Sequence, residues 1–543
     1  MKNIKILDCT LRDGGRIINC AFPDTEIADI TKRLAEANID IIEVGFLRDW
    51  HNTNYAGNST FFTDVDQIAP FINRVSKETM YVAFVDFGMF DFASLKPFDG
   101  TSIDGIRVGF TRKDFQNCLS EVIEAMRLVK ERGYKLFIQG VNSLGYTDYE
   151  LLEIINFVND IDPYSFGIVD TYGAMYVDDV QRIYNLIDHN MKETICIDFH
   201  SHNNFQLSFS LAQEVIKLSR GKRKIIIDAT LDGVGKCAGN LNTELIVDFL
   251  VRKVNYNYDF DGILDIIDDY MYHLKKDYVW GYSIPAVMAG IYKSHPNNVI
   301  YLTEKFRLAT KDIKHIISMI DPELRQRYDY DNIQRLYAQY NHTKVDDREV
   351  IQILKEKFTN RKILLLMPGR TLLEYDQLIN ETINRETPII ISVNFITDKG
   401  NYTDRYAFFG SAKRYAKFAE MCKPEHVIAV SNIAKDNKSN MVVNYESLIE
   451  RDNEDFDNSS MMLLNLLKRI GVTDIMIAGF DGFYQNKENY YDESIFEGSR
   501  FETKFEGITK NMRFMLKKYA DSMENANAIK FLTPSRYSEI FEK

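Results

Sequence analysis

Paired cysteines are missing from this 543-residue chain. Its six cysteines (Cys9, Cys20, Cys118, Cys196, Cys237 and Cys422) are scattered without a CxxC pair. That pattern excludes a disulfide framework and reads as reduced thiols. Uninterrupted apolar runs of the ~20 residues needed to cross a bilayer are also missing, so no membrane span is expected. The N-terminal MKNIKILDCTLRDGG has no apolar leader before its first charged motif, and a cytoplasmic location is expected. Basic excess is lacking too. The formal net charge is -13, which favours solubility and argues against a nucleic-acid partner. No convincing repeat or low-complexity tract is present. What remains is ordinary globular composition, 45% hydrophobic and 27% charged, in a chain long enough for two or more domains.

Eight short apolar runs alternate with helical patterns: 4–10, 39–46, 80–87, 105–110, 135–141, 165–170, 194–200 and 224–230. Runs of this kind are strands buried on both faces, and βα alternation implies a parallel sheet. Eight units are what a (β/α)8 TIM barrel requires; a doubly wound open sheet is the alternative. The barrel is expected over 1–255. From 256 to 358 the β-like runs give way to helical spacing, expected as an extension packed on the barrel. Strand-like runs resume at KILLLMPGR, 388–395, 406–410, 426–432 and 474–481, so 359–543 is expected to be a Rossmann-like α/β domain. The polar, acidic stretch 434–460 is expected as a surface excursion or lid.

Barrel sites lie at the carboxyl ends of the strands, and four run ends carry reactive chemistry. The first leads into Thr10, Arg12 and Asp13; the second holds Glu43; the seventh leads into His200 and His202; the eighth leads through DGVGKCAGN to Asn240. Histidines at i and i+2 of a strand project to one side. With a carboxylate from the first strand they form an N/O site with open positions. Mn²⁺ or Mg²⁺ is expected there, with Co²⁺ or Zn²⁺ as alternatives. Alone, HxH reads equally as two structural histidines and RDGG as a polar turn. Their joint placement at strand ends of one barrel favours the site.

Together LDCTLRDGG, IEVGF, DFHSHNN and DGVGKCAGN resemble the TIM-barrel metalloenzyme superfamily of pyruvate aldolases, HMG-CoA lyases and isopropylmalate synthases, most of all its 4-hydroxy-2-oxovalerate aldolase branch. The resemblance covers residues 1–300. It implies Asp13, His200 and His202 as metal ligands, with Asn240 completing the shell in some members. It also implies Arg12 as the stabiliser of an enolate oxygen, and a pyruvate-type 2-oxo acid and an aldehyde as reactants. Thr171, beside Asp170 in VDTYGAM, is expected to contact substrate. One position departs from the pattern. The aldolases carry a histidine base three residues after the metal aspartate, and this chain has Arg16, which stays protonated. His295, Tyr282, Glu43 and a metal-bound water are the candidate bases, and Arg16 is a candidate ligand for a second anionic group. Cys237, in a loop comparable to one with a functional cysteine in HMG-CoA lyases, is read as a small buried thiol. Asp170, Asp228 and Asp232 are read as supporting the site or the fold.

In the second domain, PGRTL, ISVNF and IAGFDGF resemble Rossmann-type sialyltransferase-like proteins. Gly369, Asn394 and Asp481 are therefore candidates for a nucleotide or nucleotide-sugar site, although a full GxGxxG and a P-loop are both lacking. A Gly turn with capped strand ends is the other reading. The leading expectation is a metal-dependent carbon–carbon lyase that forms a homo-oligomer; the second resemblance implies a carbohydrate pathway as its setting, for example surface-polysaccharide synthesis. The alternatives are a Claisen-type acyl-CoA-dependent synthase, a bifunctional protein dominated by its C-terminal transferase, and a binding protein with a degenerate barrel.

Overall fold

The computed structural model describes residues 3–49, 59–76, 78–304, 310–341, 345–434, 438–449, 458–484, 489–491, 505–523 and 529–542. The chain divides into two compact units. One is Met1–Thr303 with Thr310–Tyr330; the other is Glu304–Ala309 with Asp331–Lys543.

The first unit is a closed parallel barrel. Its strands are β1 (Ile4–Asp8), β2 (Ile41–Leu47), β4 (Met80–Asp86), β5 (Gly105–Phe110), β6 (Lys135–Gly140), β7 (Ser165–Asp170), β8 (Cys196–Ser201) and β9 (Ile225–Ala229). A two-residue strand, β3 (Phe61–Phe62), lies against the end of β2. The ladder runs β1-β9-β8-β7-β6-β5-β4-β2, and β1 pairs with β2 through Leu7↔Ile41 and Asp8↔Ile42. That pairing removes both sheet edges and decides against the open-sheet alternative. All eight apolar runs fall on barrel strands. Their β-branched content follows from burial on two faces: one against the surrounding helices, the other inside the barrel.

Alternation along the strands sorts the interior into layers. The lower layer is apolar and includes Leu7, Ile41, Val82, Phe137, Cys196 and Ile226. Two residues further along, the same phase brings Glu43, Arg107, Gln139, Asp198 and Asp228 inward. All five are buried, and they are joined by hydrogen bonds. Barrel interiors are ordinarily filled by branched aliphatics; this one carries a charged plug beneath its mouth. Two close approaches need glycine there. A Cβ on Gly167 would lie 2.1 Å from Gln139 Oε1, and one on Gly45 would lie 2.2 Å from the Thr60 carbonyl. Gly45 also follows a register shift in β2 between Glu43 and Gly45.

After the barrel the chain is helical. Helices Phe260–Ile266, Ile284–Ile291, Pro296–Glu304 and Thr310–Met319 form the extension. Buried Asn298 ties it together, its Nδ2 donating to Ser294 Oγ and to the carbonyls of Arg325 and Arg327.

The second unit is a seven-stranded parallel sheet. Its strands are β10 (Ile363–Leu366), β11 (Ile389–Val393), β12 (Arg405–Phe409), β13 (Val427–Val430), β14 (Met441–Val443), β15 (Ile475–Ala478) and β16 (Ile529–Phe531). Their spatial order is β14-β13-β12-β11-β10-β15-β16. Alternate residues of β10 enter opposite cores. Ile363 and Leu365 pack with Leu354 and Leu467, while Leu364 and Leu366 pack with Ile379 and Ile383. Helices therefore cover both faces. The stretch 434–460 is corrected in part: it contributes edge strand β14 and the turn Tyr445–Ser447. Most of its acidic portion, 450–457, lies outside the described residues.

Candidate metal centre

Asp13 follows the first barrel strand in a tight turn, where its N–H and that of Arg12 donate to the Cys9 carbonyl. His200 sits near the end of β8 and His202 just beyond it, on one side of the chain. Ligand atoms of Asp13, His200 and His202 all lie within 4.8 Å of one another. His200 Nε2 is 3.9 Å from Asp13 Oδ2, and His202 Nε2 is 3.6 Å from the same oxygen. That oxygen is buried and has no hydrogen-bond partner. An orphaned carboxylate oxygen facing two imidazole nitrogens is an arrangement a divalent cation satisfies.

Protonation states agree with this fit. Burial pushes His200 and His202 down to about 4, against the pull of Asp13, so both are neutral and ligand-ready at pH 7. Burial opposes ionisation of Asp13, but Arg12, His202, His200 and Arg16 together hold it well below the usual carboxylate range. His200 Nδ1 lies 3.0 Å from Asp228 Oδ2. An imidazole that donates Nδ1–H to a carboxylate keeps its Nε2 lone pair free for a metal. A second grouping, Cys9–His200–Asp228, also has donor atoms close together. There the thiol donates to the Ala229 carbonyl at 3.4 Å, and burial raises Cys9 well above the ordinary thiol range. A protonated thiol is a poor ligand, so the Asp13 grouping fits better.

Asn240 is buried and bridges to His202 across the backbone. Its Nδ2 donates to the Val234 carbonyl at 3.0 Å, and its Oδ1 is a second orphaned buried oxygen. Arg12 is held by two carboxylates: Nε donates to Glu43 Oε2 at 2.6 Å and Nη1 to Asp13 Oδ1 at 2.7 Å. Its guanidinium also lies over Phe84, 4.5 Å from the ring centroid. Arg107, missed in the motifs, sits at the centre of the plug. It donates to Glu43 Oε1 at 3.0 Å, to Asp228 Oδ2 at 2.5 Å and to Asp198 Oδ2 at 3.0 Å. Its visible signal is a lone arginine within the apolar GIRVGF. Burial, reinforced by Asp228, raises Asp198 to about 8, so Asp198 keeps its proton at pH 7.

A cavity of about 320 Å³ opens over this centre and is lined by Arg12, Asp13, Arg16, Thr171, His200, His202 and His295, among others. Arg16 Nε is 3.3 Å from Asp13 Oδ1. The Thr171 hydroxyl accepts from the Asn142 amide at 2.9 Å. His295 Nδ1 accepts from the Asn297 amide at 3.1 Å. Glu43 lies below the cavity with both oxygens engaged by guanidiniums. Tyr282 is 63% exposed and is not among the lining residues. Cys237 adopts a left-handed backbone with φ of 57°, and burial raises its thiol to about 12.

In the second unit, Gly369 and Asp481 follow β10 and β15, where the strand order reverses. A Cβ on Gly369 would meet the Gly479 carbonyl at 2.3 Å. Asp481 Oδ2 accepts from the Thr371 amide at 2.9 Å, and its Oδ1 accepts from the Thr371 hydroxyl. Asn394 Oδ1 accepts from the amides of Gly410 and Ser411.

Fold and site together define a TIM-barrel protein with a candidate divalent-metal centre at the carboxyl ends of its strands. The family model described as HMGL-like matches residues 3–269, just under half of the chain. The chain is 26% identical over 329 residues to 4-hydroxy-2-oxovalerate aldolase of Pelotomaculum thermopropionicum, a match covering 57% of this chain and 89% of that protein. It is 26% identical over 261 residues to 2-isopropylmalate synthase of Sulfolobus acidocaldarius, covering 47% and 64%. It spans 44% of the length of a Methanosarcina acetivorans relative named a probable 2-isopropylmalate synthase. Among solved structures, HMG-CoA lyase from Brucella melitensis aligns with a TM-score of 0.42 at 16% identity, covering 51% of this chain and all of that one.

Proposed function

We propose that the barrel catalyses divalent-metal-dependent aldol chemistry on a 2-oxo acid, making or cleaving a carbon–carbon bond. The observation that carries this reading is the cluster of Asp13, His200 and His202 with the fixed guanidinium of Arg12 beside it. When bound, a divalent cation such as Mn²⁺ or Mg²⁺ supplies Lewis-acid polarisation of the 2-oxo acid. Arg12, immobilised by Glu43 and Asp13, presents positive charge where an enolate oxygen develops, without reorganisation. In the synthetic direction C3 of the 2-oxo acid loses a proton and bonds to the aldehyde carbon, and the aldehyde oxygen gains a proton. Cleavage is the reverse, and no atom is gained or lost overall.

The candidate bases separate on geometry. Glu43 is saturated, Tyr282 lies outside the cavity, and Arg16 stays charged. His295 accepts at Nδ1, so its neutral form carries the proton on Nε2 and donates there. Of the groups considered, water in the cavity remains as proton acceptor.

The test is exchange of pyruvate methyl protons with deuterated solvent, followed by NMR with added Mn²⁺ or Mg²⁺. An aldehyde panel read by mass spectrometry accompanies it. Exchange lost in His200→Ala supports the reading; exchange indifferent to His200→Ala sinks it. Free thiol released from acetyl-CoA with a 2-oxo acid, in the absence of aldol product, would replace it with the Claisen alternative.

Nucleotide or nucleotide-sugar binding by the second unit is a separate proposal. It is supported by Gly369 and Asp481 lying at the reversal of strand order, where open parallel sheets place ligands. The Asp481 carboxylate already takes the Thr371 amide, so the sugar or base rather than phosphate would be recognised there. Calorimetry of the full chain with UDP, CMP and UDP-sugars tests it; absence of heat with all of them rejects it.

A further inference from the structure

We propose that the cavity over the metal centre contains an anion-binding subsite formed by Lys236, Arg16 and His295, which recognises a phosphate or carboxylate on the carbonyl compound that joins the 2-oxo acid. The proposal rests on the preceding reading only for which molecule brings the anion.

The cavity is lined by seven arginines and lysines and by two carboxylates, Asp13 and Asp86. Several of the cations are already committed. Arg12 and Arg107 are bound to buried carboxylates, and Arg112 donates to Glu150 at 2.9 Å. Lys236 differs. It lies in the loop between β9 and Asn240, and its Nζ reaches the Asn297 side-chain oxygen at 3.4 Å. Among the described residues no carboxylate pairs with it. Burial lowers its affinity for the proton, and Arg16 adds to that effect. A largely buried ammonium without a carboxylate is costly in an empty cavity and is relieved by an anionic ligand.

Asn297 ties a second donor to the same place. Its side chain receives Lys236, while its backbone amide donates to His295 Nδ1 at 3.1 Å. Neutral His295 then carries its proton on Nε2 and is a donor; burial keeps it neutral, at about 4. Arg16 completes the group; its side chain is 36% exposed and lies 3.3 Å from Asp13 and 3.8 Å from Asp86, leaving guanidinium N–H groups for a further acceptor. An ammonium, a guanidinium and an imidazole N–H suit the multiple acceptor oxygens of phosphate or carboxylate.

The experiment is calorimetric binding to full-length, Mn²⁺-supplemented protein, with glycerol 3-phosphate, succinate and uncharged glycerol as probes. Glycerol 3-phosphate or succinate is expected to bind where glycerol does not, and the stronger of the two identifies the anion. Lys236→Met is expected to weaken that binding about 10- to 100-fold, the scale of one charge-assisted hydrogen bond, with Lys236→Arg restoring most of it. His295→Gln provides an independent reading should Lys236→Met not fold. Absence of binding by both anions, or affinity unchanged in the folded variants, overturns the subsite. Pyruvate methyl exchange in the wild-type protein, measured alongside, reports separately on the aldol reading.

Discussion

His200 Nδ1 and Asp228 Oδ2 are 3.0 Å apart, and the same carboxylate oxygen accepts from Arg107 at 2.5 Å. One buried oxygen therefore sets the imidazole tautomer and joins the candidate metal centre to the charged plug. Asp228→Asn is expected to lower Mn²⁺ affinity by about 10- to 100-fold, as loss of such a partner typically does. Metal titration of the purified variant checks this. Unchanged affinity would show that His200 is oriented by other contacts.

Arg107 is the keystone of the plug. Arg107→Met leaves buried Asp228 without its guanidinium and Glu43 with only that of Arg12, and a loss of about 3–5 kcal/mol in barrel stability is expected. Asp198→Asn is expected to behave differently, because Asp198 already holds a proton at pH 7. Its folded pKa, about 8, lies above its ordinary 3.8. Between those values the unfolded chain ionises while the folded chain does not, so this group costs stability as pH rises from 4 to 8. Asp198→Asn removes that loss and is expected to be neutral or stabilising at pH 7. Urea unfolding at pH 5 and pH 8 distinguishes the two variants.

Metal loading is expected to persist into acid. A proton competes with a metal for an imidazole only below that imidazole's pKa. His200 and His202 sit at about 4 rather than 6.5, and the sign favours the unprotonated ligand. Mn²⁺ affinity is therefore expected to be nearly flat from pH 7.5 to 5.5. Ordinary histidines would give a decline beginning near pH 6.5. Affinity falling tenfold or more across that range would show that the imidazoles are not shifted.

Arg12→Lys tests geometry at constant charge. A lysine cannot keep the forked contacts to Glu43 and Asp13. Turnover is expected to fall about 10²- to 10³-fold, the scale of a lost oxyanion donor, while metal content stays near that of the wild type. Steady-state kinetics with metal analysis by mass spectrometry gives both readouts.

The barrel was legible because strands buried on both faces leave unbroken apolar runs, and all eight fell where the runs are. Strands β14 and β16 escaped notice because three residues make too short a pattern, and β14 is set in a polar stretch. Asp13, His200 and His202 could be read as a set from motifs at run ends. Arg107 and Asp198 could not, since each is a lone charge in its own run and only barrel closure brings them together. Gly369 and Asn394 also have structural roles that residue type alone does not reveal. Their residue types suit a ligand loop, and in addition Gly369 makes room for the nearby Gly479 carbonyl and Asn394 accepts from two amides.

Asn298 fastens the segment bearing His295 to Arg325 and Arg327, and both His295 and Arg327 line the cavity. The extension therefore supplies part of the wall of the cavity over the candidate metal centre. A chain cut at 255 would keep every proposed metal ligand yet lose His295 and Arg327 from the cavity lining. The compact unit that holds the whole cavity lining runs to Tyr330.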